Sequence, residues 1–358
     1  DLFKNDNLII EGAKVRFKIN DSVILFCKNI KNFFENGKYQ IQIKESVKNY
    51  ERMIDGVKRL GSKKNLMNQN IMQMILGQVQ DLNINIRDKN VKQITLIPKL
   101  LQERIKMNSC QEKAIKNALM YHLSIVIGPP GSGKTLLLVN LVHNIHKGST
   151  EKILICAQTN QAIDNIIKLL KKFDFSKFVR VLSPAKELSE EHDITNSVNK
   201  LAIEKIYKDP KKYQELINLI DKKQRNGFLS EKDYKRYKEK MADEEDEIIE
   251  DADIVLSTLN NSADQRLRNY HFSYILIDEA AQALEGDTIL PLIHQAQMVV
   301  LIGDDKQLGP LVHSERAEAA GFNISLFQRL HLLYQDAPFI TLLNEQYRMN
   351  EKLYEFPN

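Results

Sequence analysis

One eight-residue stretch, Gly128-Pro129-Pro130-Gly131-Ser132-Gly133-Lys134-Thr135, restricts the possible folds of this chain more than any other. It reads G-x-x-x-x-G-K-T. In that pattern glycines let successive backbone N–H groups turn inward around a phosphate, and a following helix N-terminus adds partial positive charge. Such a loop works between a strand and a helix. Leu123 to Ile127 before it is a short apolar, β-branched run, and Leu136-Leu137-Leu138-Val139 after it opens a helix. Lys134 would reach the β- and γ-phosphates as a point charge, and Thr135 would offer its hydroxyl to magnesium. The alternative is a glycine-rich turn that binds nothing; the flanking strand and helix count against it.

The same strand–helix rhythm continues downstream. Lys152 to Ala157, Phe178 to Leu182, Asp253 to Thr258, Tyr274 to Ile277, Met298 to Ile302 and Phe339 to Leu342 read as buried strands, the first two separated by a helical stretch running to about Lys172. Alternation of this kind predicts an α/β fold with a parallel sheet, helices on both faces and ligands at the carboxyl ends of the strands. Residues 98–185 and 251–345 make up this sheet domain. Residues 186–250 interrupt it. Their two amphipathic stripes, Tyr213, Leu216, Ile217 and Ile220, then Tyr234, Tyr237 and Met241, flank a turn at Asn226-Gly227, so they predict an inserted two-helix hairpin. The acidic run Asp243 to Glu247 reads as a solvated helix face.

Upstream, residues 1–46 alternate in short β-like runs between turn signals at Asn20-Asp21 and Asn36-Gly37, which predicts a small, partial antiparallel β-barrel or meander. Residues 47–97 read as a helical stalk, with helices over Val47 to about Leu60 and Leu66 to Leu76 and a polar, irregular stretch from Asn83. Asn108-Ser109-Cys110-Gln111 starts a capped helix. The bulk numbers exclude several classes. At 358 residues, with 43% hydrophobic residues, the chain is long enough for two or three domains with a core. No segment has the length of a membrane span. Cys27, Cys110 and Cys156 lie far apart, so neither zinc nor a disulfide framework is indicated. A net charge of +4 permits a polyanionic partner without demanding one. The chain begins with Asp1 and lacks a signal-peptide pattern, and is read as a fragment of a cytoplasmic or nuclear protein.

Three strand ends carry chemistry. Tyr274 to Ile277 runs into Asp278-Glu279-Ala280-Ala281-Gln282. Adjacent carboxylates there, downstream of a phosphate loop, suggest that Asp278 holds magnesium and Glu279 accepts a proton from attacking water; alone they would read as acids capping the next helix. After the next strand, Gly303-Asp304-Asp305-Lys306-Gln307-Leu308-Gly309-Pro310 offers Gln307 to position water or sense the γ-phosphate.

In the order Gln111, Gly128 to Thr135, Thr159-Asn160, Asp278 to Gln282, Gly303 to Pro310 and Gln346-Tyr347-Arg348, these pieces resemble superfamily 1 RNA/DNA helicases. Within that group the chain looks closest to the up-frameshift helicases of nonsense-mediated mRNA decay, because a barrel and stalk precede the glutamine motif and because Leu229 to Tyr237 is similar to the insertion of that subfamily. The resemblance implies a RecA-like first motor domain and an ATP-dependent helicase or translocase on single-stranded RNA, with DNA left open. It implies that Gln111 reads the adenine edge, that Gly131, Ser132, Gly133, Lys134 and Thr135 wrap the phosphates, and that Gln307 couples the γ-phosphate to closure. Tyr347 would pack on the base, Arg348 would reach the γ-phosphate, and Thr159, Asn160, Ser257 and Thr258 would touch the nucleic-acid backbone. For Thr159 and Asn160 a plain helix cap is the alternative. ATP and magnesium follow as cofactors, and protein regulators of mRNA decay as partners through regions beyond this chain. Asp305-Lys306 departs from the closest subfamily. Residues 346–358 would begin the connection to an absent second motor domain, so the fragment alone is expected to turn over ATP slowly and unwind nothing. An NTP-gated clamp that never moves and an inactive scaffold are the rival classes. Related helicases acting in transcription termination or on DNA are the near alternatives.

Overall fold

The computed structural model describes residues 2–4, 7–10, 14–19, 22–26, 40–41, 48–62, 67–79, 81–87, 107–183, 196–226 and 229–348. The chain divides into two compact units, Asp1–Glu51 and Arg52–Asn358. In the first, Leu2–Lys4 pairs antiparallel with Asn7–Ile10 and with Gln40–Ile41, and Lys14–Ile19 pairs antiparallel with Ser22–Phe26. These form two separate small sheets among the described residues, where the sequence predicts one partial barrel or meander.

The second unit is built on seven parallel strands: β1 Leu123–Ile127, β2 Ile153–Ala157, β3 Phe178–Val181, β4 Ile254–Thr258, β5 Tyr274–Asp278, β6 Met298–Gly303 and β7 Ile340–Leu342. Their spatial order is β7-β1-β6-β5-β2-β4-β3. The side-chain period of two sends alternate residues to opposite faces. Leu123, Ile125, Leu154, Cys156, Val255, Ile275, Ile277, Val299 and Leu301 join one core, while Val126, Ile153, Ile155, Leu256, Leu276, Val300 and Ile302 join the other. Both faces are covered, which is why these strands read as continuous apolar runs. Helices α3 Ser109–Met120, α4 Lys134–Gly148 and α5 Asn160–Lys172 cover the second face through Ile115, Leu138, Leu141 and Ile166. Against the first face lie the earlier α2 (Gln69–Leu76), the end of a long helix at Ile249, and Leu326, Phe327 and Leu330 of a helix near the end of the described residues.

The segment predicted as a stalk is thus partly sheet domain. Helix α1 spans Lys48–Leu60; beyond it Ile71 and Met74 of α2 are fully buried in the core. Asn85, in the stretch read as irregular, accepts from the N–H of Leu123 at 2.8 Å and donates to its carbonyl at 2.9 Å, which satisfies the start of β1. Residues 88–106 lie outside the described residues.

The insertion holds three helices among the described residues, not two: α6 Val198–Lys208, α7 Gln214–Asn226 and α8 Glu231–Asp251. The pair flanking Asn226 is the expected hairpin. The sequence reading missed α6 because it buries only Val198, Ala202 and Ile206, a thin stripe. Together the three bury their own small core, with Ile206, Leu216, Ile220, Tyr237 and Met241. The acidic run in α8 is a solvated face only in part: Asp243, Asp246 and Glu247 are exposed, but Glu244 is buried and Glu245 half-buried. Glu244 accepts from Tyr213 Oη at 2.9 Å and pairs with Lys205 at 2.7 Å; Glu245 faces Arg266 and Asn199, and Asp246 accepts from Tyr270 Oη. The acids tie the insertion together and to the sheet.

Candidate nucleotide site

Strand register lines up the site. Asp278 of β5 pairs with Ala157 of β2, Ala157 pairs with Thr258 of β4, and Gly303 of β6 pairs with Ile127 of β1. The loops after these strands therefore leave from one edge of the sheet. At β1, Gly128 N donates to the Gly303 carbonyl at 2.9 Å, joining the phosphate loop to the loop after β6.

The loop itself is shaped by two left-handed residues, Gly131 with φ +81° and Gly133 with φ +83°, a region that side chains other than glycine rarely occupy. A Cβ at Gly131 would come within 2.7 Å of Cβ of Arg348, and one at Gly133 within 2.7 Å of Nε2 of Gln111. Gly133 is the N-cap of α4 and supplies no side-chain cap, so the first-turn N–H groups of α4 are left without one. Lys134 is buried and donates to the Gly128 carbonyl at 2.7 Å.

Beneath the loop, Thr135 Oγ1 lies 3.5 Å from Asp278 Oδ2 and donates to it. Asp278 is 3% exposed. Burial and the neighbouring Glu279 charge push its carboxyl up to about 6, against the opposing pull of the Glu279 N–H, Lys134 and Thr135. Glu279 has φ +53°, a left-handed conformation for a residue with a side chain. Such local strain turns the chain sharply at the strand end, and Glu279 lines the open cleft while Asp278 stays below it. Gln282 Nε2 donates to Glu279 Oε2 at 3.2 Å. Gln307 donates to Asp304 at 2.7 Å, and Asp305 pairs with His331 at 2.7 Å.

The cleft has a volume of about 630 Å³. Gly131 to Thr135, Glu279, Gln307, Tyr347 and Arg348 line it together. The segment that ends in Tyr347 folds back over the loop: its N–H donates to the Gly131 carbonyl at 2.8 Å, and its hydroxyl accepts from Asn108 at 2.8 Å. Two more polar lining residues, Asn165 and Lys168 of α5, belong to no motif and escaped sequence reasoning. Their spacing of three, opposite the buried Ile163, Ile166 and Ile167, marks only a solvent face; which neighbour that face meets comes from packing.

Other expected residues are placed differently. Gln111 is 2% exposed and spent on the fold: its Oε1 accepts from Asn108 N at 3.1 Å in a capping box, and its Nε2 donates to the Ser132 carbonyl at 3.0 Å. It braces the phosphate loop; its amide is not presented to an adenine edge. Thr159 caps α5 by accepting from Ala162 N at 3.2 Å. Asn160 accepts from Arg180 at 3.0 Å, and Arg180 also pairs with Asp164. Ser257 is 1% exposed, with its Oγ 3.6 Å from Cys156 Sγ, so it has no surface to offer a backbone phosphate. Thr258, at the carboxyl end of β4, is half-buried.

The AAA-domain family matches this chain at residues 106–233 and, overlapping, at 219–315. The chain belongs to that family. Its curated relatives include the regulator of nonsense transcripts 1 homolog of Neurospora crassa, 37% identical over 252 residues, and the ATP-dependent helicase NAM7 of Saccharomyces cerevisiae, 35% identical over 310 residues. The ATP-dependent helicase upf1 of Schizosaccharomyces pombe is 34% identical over 259 residues. These matches cover 70%, 86% and 71% of this chain but only 22%, 30% and 27% of the relatives. They bear out the recognition of an up-frameshift-type, superfamily 1 motor domain. Among the described residues no helix is long and apolar enough to cross a membrane.

Proposed function

We propose that this chain is the nucleotide-binding motor domain of an ATP-dependent helicase or translocase acting on single-stranded RNA in nonsense-mediated mRNA decay. The observation that carries the reading is the convergence of Lys134, Glu279, Gln307 and Arg348 on one cleft beneath a loop whose backbone is held open by Gly131 and Gly133. The relatives of the same family bear the names of ATP-dependent helicases and regulators of nonsense transcripts.

The residues fit magnesium–ATP. The loop's left-handed glycines leave no Cβ in the cradle, and a hydroxyl and a buried carboxylate, Thr135 and Asp278, face each other under it. Hard oxygen donors of this kind suit magnesium. When bound, the ion would neutralise charge on those oxygens. The chain's own residues supply the rest. Lys134 and Arg348 bring positive charge to the phosphates. Glu279, open to the cleft, takes a proton from attacking water, and Gln307 holds that water in line. Tyr347 gives the base a ring to pack on. Gln111 acts through the loop it braces, not by reading adenine. The nucleic-acid backbone is met through Thr159, Asn160 and Thr258 at the ends of β2 and β4. The protein works in the cytoplasm or nucleus, with regulators of mRNA decay as partners.

Steady-state ATP hydrolysis by the full-length protein that carries this chain, with and without single-stranded RNA and DNA, tests the reading. Stimulation by RNA is the expected result. Nucleotide-dependent RNA binding without turnover would support a static clamp, and equal stimulation by DNA would favour a DNA or transcription-termination helicase.

A further inference from the structure

The insertion is electrically divided. Residues 198–241 carry thirteen lysines and arginines against seven acids, while residues 242–251 carry seven acids and no base. The acidic part is largely consumed internally: Glu244 by Tyr213 and Lys205, Glu245 by Arg266 and Asn199, Asp246 by Tyr270. The basic part is consumed only in part: Lys205 pairs with Glu244 and Glu247, Lys222 with Asp233, and Arg236 and Lys240 with Glu215. At the outer end of the α7–α8 hairpin, Arg225, Lys232, Lys235 and Lys238 are all exposed. The acids among them do little to cancel them. Asp233 is taken by Lys222 at 2.7 Å, and Glu239 meets Lys235 only at 4.0 Å, an exposed pair that contributes little. Glu231 sits in the first turn of α8, where the helix dipole favours it.

Tyr234 stands in the middle of this group. It is 44% exposed, and Lys238 lies 5.5 Å over its ring. On a helix, positions 231, 234, 235 and 238 share a face, so the ring and two of the cations form one surface. Cations that follow a phosphate backbone around an aromatic ring on which a base can stack are the make-up of sequence-tolerant single-strand binding. Lys232, Tyr234 and Lys235 also lie within Leu229 to Tyr237, a segment that the nucleotide cleft does not use.

We propose that this outer end of the α7–α8 hairpin is a second contact surface for single-stranded nucleic acid, gripping phosphates through Arg225, Lys232, Lys235 and Lys238 and stacking a base on Tyr234. The proposal rests on the motor reading for its choice of polyanion. Its place is the β3–β4 edge of the sheet, apart from the nucleotide cleft.

The test is a titration of the full chain with a fluorescent single-stranded RNA at several salt concentrations. Replacing the four cations together by Gln should flatten the slope of log affinity against log salt by up to about 3, since each lost contact to a single strand removes about 0.7. Replacing the three lysines by Arg and Arg225 by Lys should keep the wild-type slope, which separates loss of charge from loss of fold. Tyr234→Ala should weaken binding about tenfold with little change in slope. Nucleotide binding should be unchanged in all three variants. A wild-type chain that binds no single strand would fail the motor reading itself. Strong RNA binding by the Gln variant at the wild-type slope would overturn this surface alone. Loss of binding to poly-glutamate or to phosphatidylserine vesicles, with the RNA slope intact, would assign the surface to an acidic protein or a membrane and would equally overturn it.

Discussion

The carboxyl ends of β1, β5 and β6 differ from those of β2 and β4, although both sets present polar residues after apolar strands. At the first set the polar groups open onto a cleft: Glu279 and Gln307 line it, and Asp278 is buried with its carboxyl pushed up to about 6. At the second set the polar groups satisfy one another. Thr159 caps α5, Asn160 and Asp164 hold Arg180, and Ser257 is sealed beside Cys156. Burial of a charge without full compensation is the mark of a site prepared for a ligand, whereas polar groups paired within the protein hold the strand ends in place and leave only exposed atoms, such as those of Thr159, to meet a strand.

Changes at the two sets should therefore fail in different ways. The largest effect belongs to Glu279→Gln, which in the full-length protein should slow RNA-stimulated ATP hydrolysis by roughly 10²–10⁴ while leaving nucleotide affinity and thermal stability near wild type. An unchanged rate would remove Glu279 from the role of base. Next comes Arg180→Ala. It removes a fully buried guanidinium that pairs with Asp164 and Asn160, and should cost roughly 3 kcal/mol of stability by denaturant unfolding. Nucleotide affinity in the variant that remains folded should not move; a loss there at unchanged stability would break the distinction between the two sets.

How much of this could be read in the sequence follows the same division. The sheet was legible because its strands are short, apolar and punctuated by motif residues. The cleft was legible because Gly128 to Thr135, Asp278-Glu279 and Gln307 each follow a strand. What was not legible depended on partners distant in sequence. Gln111 reads equally well as a base-contacting amide or as a brace, and only its bond to the Ser132 carbonyl, 21 residues away, decides for the brace. Ser257 reads as a strand-end hydroxyl until the register beside Cys156 buries it. The acids of α8 read as a solvated face because Lys205, Arg266 and Tyr270 lie on other elements.

Smaller effects sharpen the comparison. Thr159→Ala should cost about 1 kcal/mol of stability through loss of the α5 cap. In a salt titration with single-stranded RNA it should also weaken binding modestly, through loss of the contact to the backbone; unchanged binding would remove Thr159 from that contact. Ser257→Ala, by contrast, should leave RNA affinity within experimental error, because a side chain 1% exposed cannot reach a strand lying on the surface. A loss of affinity for Ser257→Ala at unchanged stability would place nucleic acid where the structure has only core.

The central claim is that the cleft under Gly131 and Gly133 is where the phosphates bind. Titration of a fluorescent ATP analogue with magnesium into wild-type chain, Lys134→Ala and Ser257→Ala, under one set of conditions, tests it most directly. Lys134→Ala removes the cation buried at the floor of the loop and should weaken binding by about 100-fold or more, on the order of 3 kcal/mol for a charge-assisted contact. Ser257→Ala should bind as wild type does. Wild-type affinity in Lys134→Ala would contradict the account.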